Sequence, residues 1–258
     1  MTTDRRQFFG GLRRALGANP ERSEMSDTWP SDSEEEVLAR AAAVEHDAAA
    51  RAGELIEQLA SSAQAGGWIV HRAANPEDAL GKVVDIARGL GVETMVRSDH
   101  DVLRTLGVDE PLAKEGIEVT AMASEGSQGI ISDSQEDRSA VPGQGSGGAM
   151  RKIAIESGMG LTGADYAVAE TGSVVLTAGQ GVSRIVSLVP PVHVAVVEIG
   201  SVLPGLDELF TLLRRDYGRE NWTSYVNIIS GPSRSADIEY TLVTGVHGPG
   251  EVHLVLLG

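Results

Sequence analysis

The chain has 258 residues, 41% hydrophobic and 22% charged, which suits one sizeable domain with a buried core. A formal charge of -16 disfavours phosphate backbones and anionic membrane surfaces as partners. With 0 cysteines the chain has no thiolates for disulfides, zinc sites or iron–sulfur clusters, and its 6 histidines show no paired metal-ligand spacing, so no metal site and no cofactor are expected.

The start, TTDRRQFFGGLRRALG, carries a twin arginine, but Arg13 and Arg14 interrupt the apolar run that an export signal needs. Phe8, Phe9, Leu12 and Leu16 fall on one helical face, so the segment reads as an amphipathic helix of a cytoplasmic protein. No apolar run approaches the roughly 18 residues of a membrane span. Residues 19–36 form an acidic linker closed by a helix start, with Ser33 as N-cap. Apolar residues at three- and four-residue spacing then predict a helix from about Glu34 to Gln64, ended by Gly66 and Gly67. Residues 1–66 are therefore expected to be N-terminal helices and linker, and 67–258 the main domain.

From Trp68 the pattern alternates. WIVHRA predicts a strand, and NPEDALGKVVDIARGLG a helix with Pro76 in its first turn and Gly91 past its end. ETMVRS, DHDVLRTLGV and GIEVTAM continue as strand, helix and strand. This alternation predicts an α/β fold with a mainly parallel sheet and flanking helices. Residues 123–148 break the pattern and read as a flexible insertion or lid. Their GQGSGG leaves no strand and precedes no Gly-Lys-Ser/Thr, so it lacks the setting of a phosphate loop.

Order resumes at Ala149. AMRKIAIESG predicts a short helix, and ADYAVAETGSVVLTAG a hairpin or two strands joined by a tight turn. The Val/Ala/Ile run of PPVHVAVVEIG marks a strand covered on both faces, with His193 as a core or edge histidine. PGLDELFTLLRRDYG predicts a helix with Leu206, Leu209, Phe210 and Leu213 inward, and SYVNIIS and EVHLVLL the final strands.

Three stretches carry candidate chemistry. Glu170 follows a strand and precedes Thr171-Gly172-Ser173, where it is either a nucleophile, general base or hydroxyl anchor, or a turn residue accepting from neighbouring amides. Gln180 and Arg184 offer donors to a carboxylate or phosphate, although an arginine capping a carbonyl has the same appearance. Ser230, Gly231, Ser233, Arg234 and Asp237 read as an anion-binding concavity before a helical turn, or as a turn capped by Ser235. His247 either faces that loop or bridges its own turn. Glu170 and the Ser230 loop are expected at one cleft, at the carboxyl ends of neighbouring strands.

The segments GADYAVAETGSVVL, SGPSRSADIE and GVHGPGEVHLVLL together resemble the LUD-domain family, and within it the lactate-utilisation protein C group. The resemblance runs from about Trp68 to the end, is densest from Arg151, and extends to FFGGLRRALG. It is poorest at 123–148 and before Glu34. It implies a fold like NagB, RpiA and the CoA transferases. It also implies a part in oxidising L-lactate to pyruvate beside iron–sulfur partner proteins. The alternative is a small-molecule enzyme with CoA-transferase, sugar-phosphate isomerase or formyltetrahydrofolate cyclo-ligase-like chemistry, acting on an anionic substrate. The resemblance assigns no catalytic residue, so the site rests on the residues themselves.

Overall fold

The computed structural model describes residues 32–122, 146–177, 184–217, 225–236 and 242–258. The chain divides into two compact units, Met1–Leu38 and Ala39–Gly258. The expected helix around Phe8 and most of the 123–148 segment lie outside the described residues.

Helix α1 (Glu34–Ala50) begins as the sequence predicts. Glu36 N donates to Ser33 Oγ at 3.3 Å and Ser33 N to Glu36 Oε2 at 2.7 Å, a reciprocal capping box. The single long helix expected here is broken. Arg51 leaves helical geometry (φ -106°, ψ 11°), and a second helix, α2 (Ala52–Gly66), follows it. Gly67, in the left-handed region, ends α2 by returning its N–H to Ala63 and Gln64 carbonyls.

In the second unit, six strands build one wholly parallel sheet: β1 (Ile69–Ala73), β2 (Thr94–Ser98), β3 (Glu118–Met122), β4 (Met159–Gly163), β7 (Val192–Glu198) and β12 (Glu251–Leu257). Their order is β1-β12-β7-β4-β2-β3. The last strand thus inserts beside the first, and β7 and β12 occupy the interior. Burial on both faces explains their unbroken apolar runs. The residues Val194, Val196 and Val255 face helices α3 (Pro76–Gly89), α4 (Asp101–Leu106) and α5 (Asp109–Lys114) through a core that includes Val83, Ile86, Leu103 and Leu112.

On the other face Ala195, Val197, Leu254 and Leu256 join a core with Leu55, Leu59 and Ala63 of α2 and with a second sheet. That sheet contains β5 (Tyr166–Val168), β6 (Ser173–Thr177), β8 (Val202–Leu203) and β9 (Val226–Ile229), in the order β8-β5-β6-β9. β5 and β6 form an antiparallel hairpin, and β9 runs antiparallel to β6. SYVNIIS is therefore a strand outside the parallel sheet. Helix α6 (Ser146–Glu156) precedes β4, and α7 (Ile185–Leu188) precedes β7. Helix α8 (Leu206–Tyr217) buries Leu209, Leu212 and Leu213. Leu206 and Phe210, expected inward, are exposed: the helix is turned so that its stripe starts at Leu209.

Asn75 caps α3: its side chain accepts from Asp78 N at 2.9 Å, with Pro76 in the first turn. Asn75→Ala should lose about 1 kcal/mol of unfolding free energy in denaturant titration. An unchanged midpoint would show that water replaces the cap without cost.

Candidate functional site

The ETGS turn joins β5 to β6, and β9 lies beside β6 in the opposite direction. Antiparallel pairing therefore brings the start of β6 to the end of β9. Ser173 Oγ lies 2.8 Å from Thr171 Oγ1 and 2.7 Å from Ser230 Oγ, a chain of three hydroxyls. Gly172 holds φ 65°, and a Cβ there would collide with the Ala63 backbone, so the turn is pressed onto the last turns of α2. The Ser230 loop is pressed onto the same helix end. A Cβ on Gly231 would stand 2.5 Å from Gly66 O.

Arg234 donates through Nη2 to Gly66 O at 3.1 Å. The guanidinium thus covers a carbonyl at the negative end of the α2 dipole, where a cation is favoured. Arg234–Ala236 is strand β10, paired antiparallel with β11 (Leu242–Thr244), and the helical turn expected around Asp237 and Glu239 lies outside the described residues. The loop is tied down by Ser233 N donating to Pro249 O at 2.8 Å and Gly245 N to Ser233 O at 2.9 Å.

Between this loop, β9 and the amino ends of β7 and β12 lies a cavity of about 230 Å³. Ser230, Gly231, Ser233 and His247 line it together with Asn227 and His193. Four residues singled out from sequence therefore share one cavity, and Thr171 and Ser173 reach it through the hydroxyl chain. Glu170 does not join them through any described bond. It is exposed, its N–H donates to Pro204 O, and its carboxylate lies by Gly205. Arg184 stands one helical turn from the lining: its guanidinium is 5.5 Å from the Tyr225 ring centre, and its carbonyl accepts from Ser187 Oγ at 3.2 Å. Gln180 and Asp237 lie outside the described residues.

His193 is the residue that sequence reading undervalued. It is fully buried, with Nε2 2.9 Å from Thr162 Oγ1 and Nδ1 lacking a hydrogen-bond partner among the described residues. Burial pushes its pKa down to about 3, so the ring is neutral at physiological pH. The Trp68 ring lies 6.1 Å away, and its Nε1 is likewise buried without a partner among the described residues. A titratable ring inside an otherwise Val/Ala run was the available signal. His193 lines the cavity, and its free nitrogen beside the serine hydroxyls fits an occupant that hydrogen-bonds there, whether water or a ligand group.

Among the described residues the cavity lining carries no Lys, Arg, Asp or Glu. It offers hydroxyls, an amide and imidazoles, which suit directional hydrogen bonding. Nor do the described residues contain a group of three or more His, Asp or Glu side chains placed to hold a metal ion. No helix among them is long and apolar enough to cross a membrane.

A parallel six-stranded sheet with helices on both faces and a small mixed sheet over one of them defines an α/β protein. The LUD domain profile matches residues 56–257, and the chain belongs to the LUD-domain family. Its relatives include proteins named lactate utilization protein C. That of Halalkalibacterium halodurans is 43% identical over 97 residues, covering 37% of this chain and 42% of the relative. That of Bacillus subtilis is 36% identical over 107 residues, covering 41% and 45%. A lactate utilization protein B from Bacillus velezensis is 26% identical over 234 residues, covering 78% of this chain and 48% of the relative. The chain thus spans about half the length of the curated relatives it matches. A solved DUF162 family protein from Deinococcus radiodurans has 18% identity and a TM-score of 0.48, covering 80% of this chain and 98% of that one.

Proposed function

We propose that this protein is a lactate-utilisation component of the protein C kind, supporting oxidation of L-lactate to pyruvate beside iron–sulfur partner proteins. The observation that carries this reading is the group of lactate utilization protein C relatives, 36–43% identical over their aligned segments. The electron-transfer step is assigned to the partners because the chain has 0 cysteines with which to ligate a cluster. The protein's own part is contact with those partners and binding of a small molecule in the serine-lined cavity. There Ser230 and Ser233 supply hydroxyls and His193 an unused ring nitrogen.

Growth decides the pathway. A strain lacking the gene, with no second copy, should fail on L-lactate and grow normally on pyruvate. Growth on lactate at the wild-type rate overturns the reading. Complementation with Ser230→Val tests the cavity separately. A folded variant that restores full growth would leave the pathway intact and make the cavity structural.

A further inference from the structure

A second polar cluster lies on the opposite face of the parallel sheet. Glu251 and His253 are two residues apart on β12 and so project to the same face. β1 is the neighbouring parallel strand, with Ile69 in register with His253, and it presents His71 on that face. His253 Nε2 lies 2.7 Å from Glu251 Oε1, and its Nδ1 lies 3.0 Å from His71 Nε2.

The two imidazoles are 20° from parallel with ring centres 5.2 Å apart. Face-to-face stacking would hold atoms about 3.5 Å apart or more, so a 3.0 Å approach between nitrogens places the rings edge to edge. This is an N–H···N hydrogen bond in the ring plane. The proton positions follow from donor and acceptor capacity. An ionised Glu251 only accepts, so His253 carries its proton on Nε2. Neutral His253 then accepts at Nδ1, so His71 donates from Nε2. Neutral His71 is left with a bare Nδ1.

Burial holds His71 below the usual histidine range, which keeps the ring neutral at pH 7. His71 and His253 line a cavity of about 410 Å³ with Lys82, Asp85, Ile86 and Leu90 of the α3 side. Lys82 Nζ is 3.6 Å from Asp78 Oδ1 on that helix. The charged groups around the cavity are thus Lys82 against Asp78, Asp85 and Glu251, a balance that does not favour a free anion.

We propose that Glu251, His253 and His71 form a proton relay, and that this cavity is a general-base site for a small hydroxyl-bearing molecule. The ligand O–H donates to His71 Nδ1 and its oxygen faces Lys82, while the carbon skeleton lies on Ile86 and Leu90. On transfer the O–H bond breaks and an Nδ1–H bond forms. The positive charge gained by His71 is offset through His253 by Glu251, and the oxyanion is offset by the Lys82 ammonium. The site stands apart from the serine-lined cavity and does not rest on the lactate reading.

Diethyl pyrocarbonate, which acylates the bare nitrogen of neutral imidazole, tests the relay in the full-length protein. Relative to exposed His46 in the same molecule, His71 should react about tenfold faster in the wild type than in Glu251→Ala, an advantage equivalent to about one unit of basicity supplied through the relay. Glu251→Gln, which keeps an acceptor oxygen and guards against a folding defect, should remove part of it. Nitrogen-15 NMR should find His71 bare at Nδ1. Ethylene glycol should slow acylation of His71 relative to His46, and 1,2-dimethoxyethane, which has no O–H, should not. An unchanged His71 to His46 ratio in Glu251→Ala, a proton on Nδ1, or equal protection by the two probes would overturn the proposal.

Discussion

Replacing Gly160 by alanine should cost about 3 kcal/mol or more, placing it among the most damaging single-methyl additions to this fold. Gly160 sits in β4, paired with β2 on one side and β7 on the other. A Cβ there would collide with the Val186 carbonyl oxygen and stand 3.2 Å from Pro190 Cγ. The obstruction is backbone, not a side chain that can change rotamer. α7 would have to lift from the sheet, pulling Val186 out of its small core with Val96 and Met122. Against a total stability of about 5–15 kcal/mol the loss is large. Gly81 is the control. It is exposed in the middle of α3, and an added Cβ there meets nothing within 4 Å. Gly81→Ala should stabilise by about 0.5–1 kcal/mol, because only the entropy of the unfolded chain changes. Urea titration of both variants checks the pair. If Gly160→Ala unfolds at the wild-type midpoint, α7 does not seat on β4 as described.

Gly160 also shows why β4 is hard to read from sequence. MGLTG is short, holds two glycines and is buried at every position. It therefore has neither the alternation of a half-exposed strand nor the β-branched density of β7. β1, β2, β3, β7 and β12 were legible because turn residues flank them and helices separate the first three. The division into two sheets was not. Local pattern distinguishes strand from helix, but SYVNIIS carries nothing that decides between a parallel partner and the antiparallel edge of β6. The break at Arg51 and the exposure of Phe210 have a similar cause. Periodicity gives a stripe, and tertiary contact decides which part of it is covered. The candidate site was legible where small hydroxyl residues flank strand ends, which located Ser173, Ser230 and Ser233. Its remaining member is a histidine whose importance depends on a missing partner, and that is visible only once Thr162 and Trp68 are in place.

Acid should weaken the protein through His193, in a window set by that side chain. Folded, the ring is buried neutral with its pKa pushed down to about 3. Unfolded, it titrates near 6.5. Between those values the unfolded chain binds a proton that the folded chain refuses, so stability rises with pH across the window and is fully present above it. From pH 6.5 to pH 5 the expected loss is about 2 kcal/mol, at about 1.4 kcal/mol per unit. Most carboxylates titrate below this range, so the histidine share can be isolated. His71, also held below its usual range, contributes in the same direction and is present in both proteins compared. Urea unfolding at pH 7, 6 and 5 should show a falling midpoint in the wild type and a clearly shallower fall in His193→Gln, whose amide does not titrate. A variant with lower stability at pH 7 still serves, because the slope with pH is the quantity read. If the slope survives the substitution, His193 accepts its proton in the folded state, which requires water to reach Nδ1 through the serine-lined cavity.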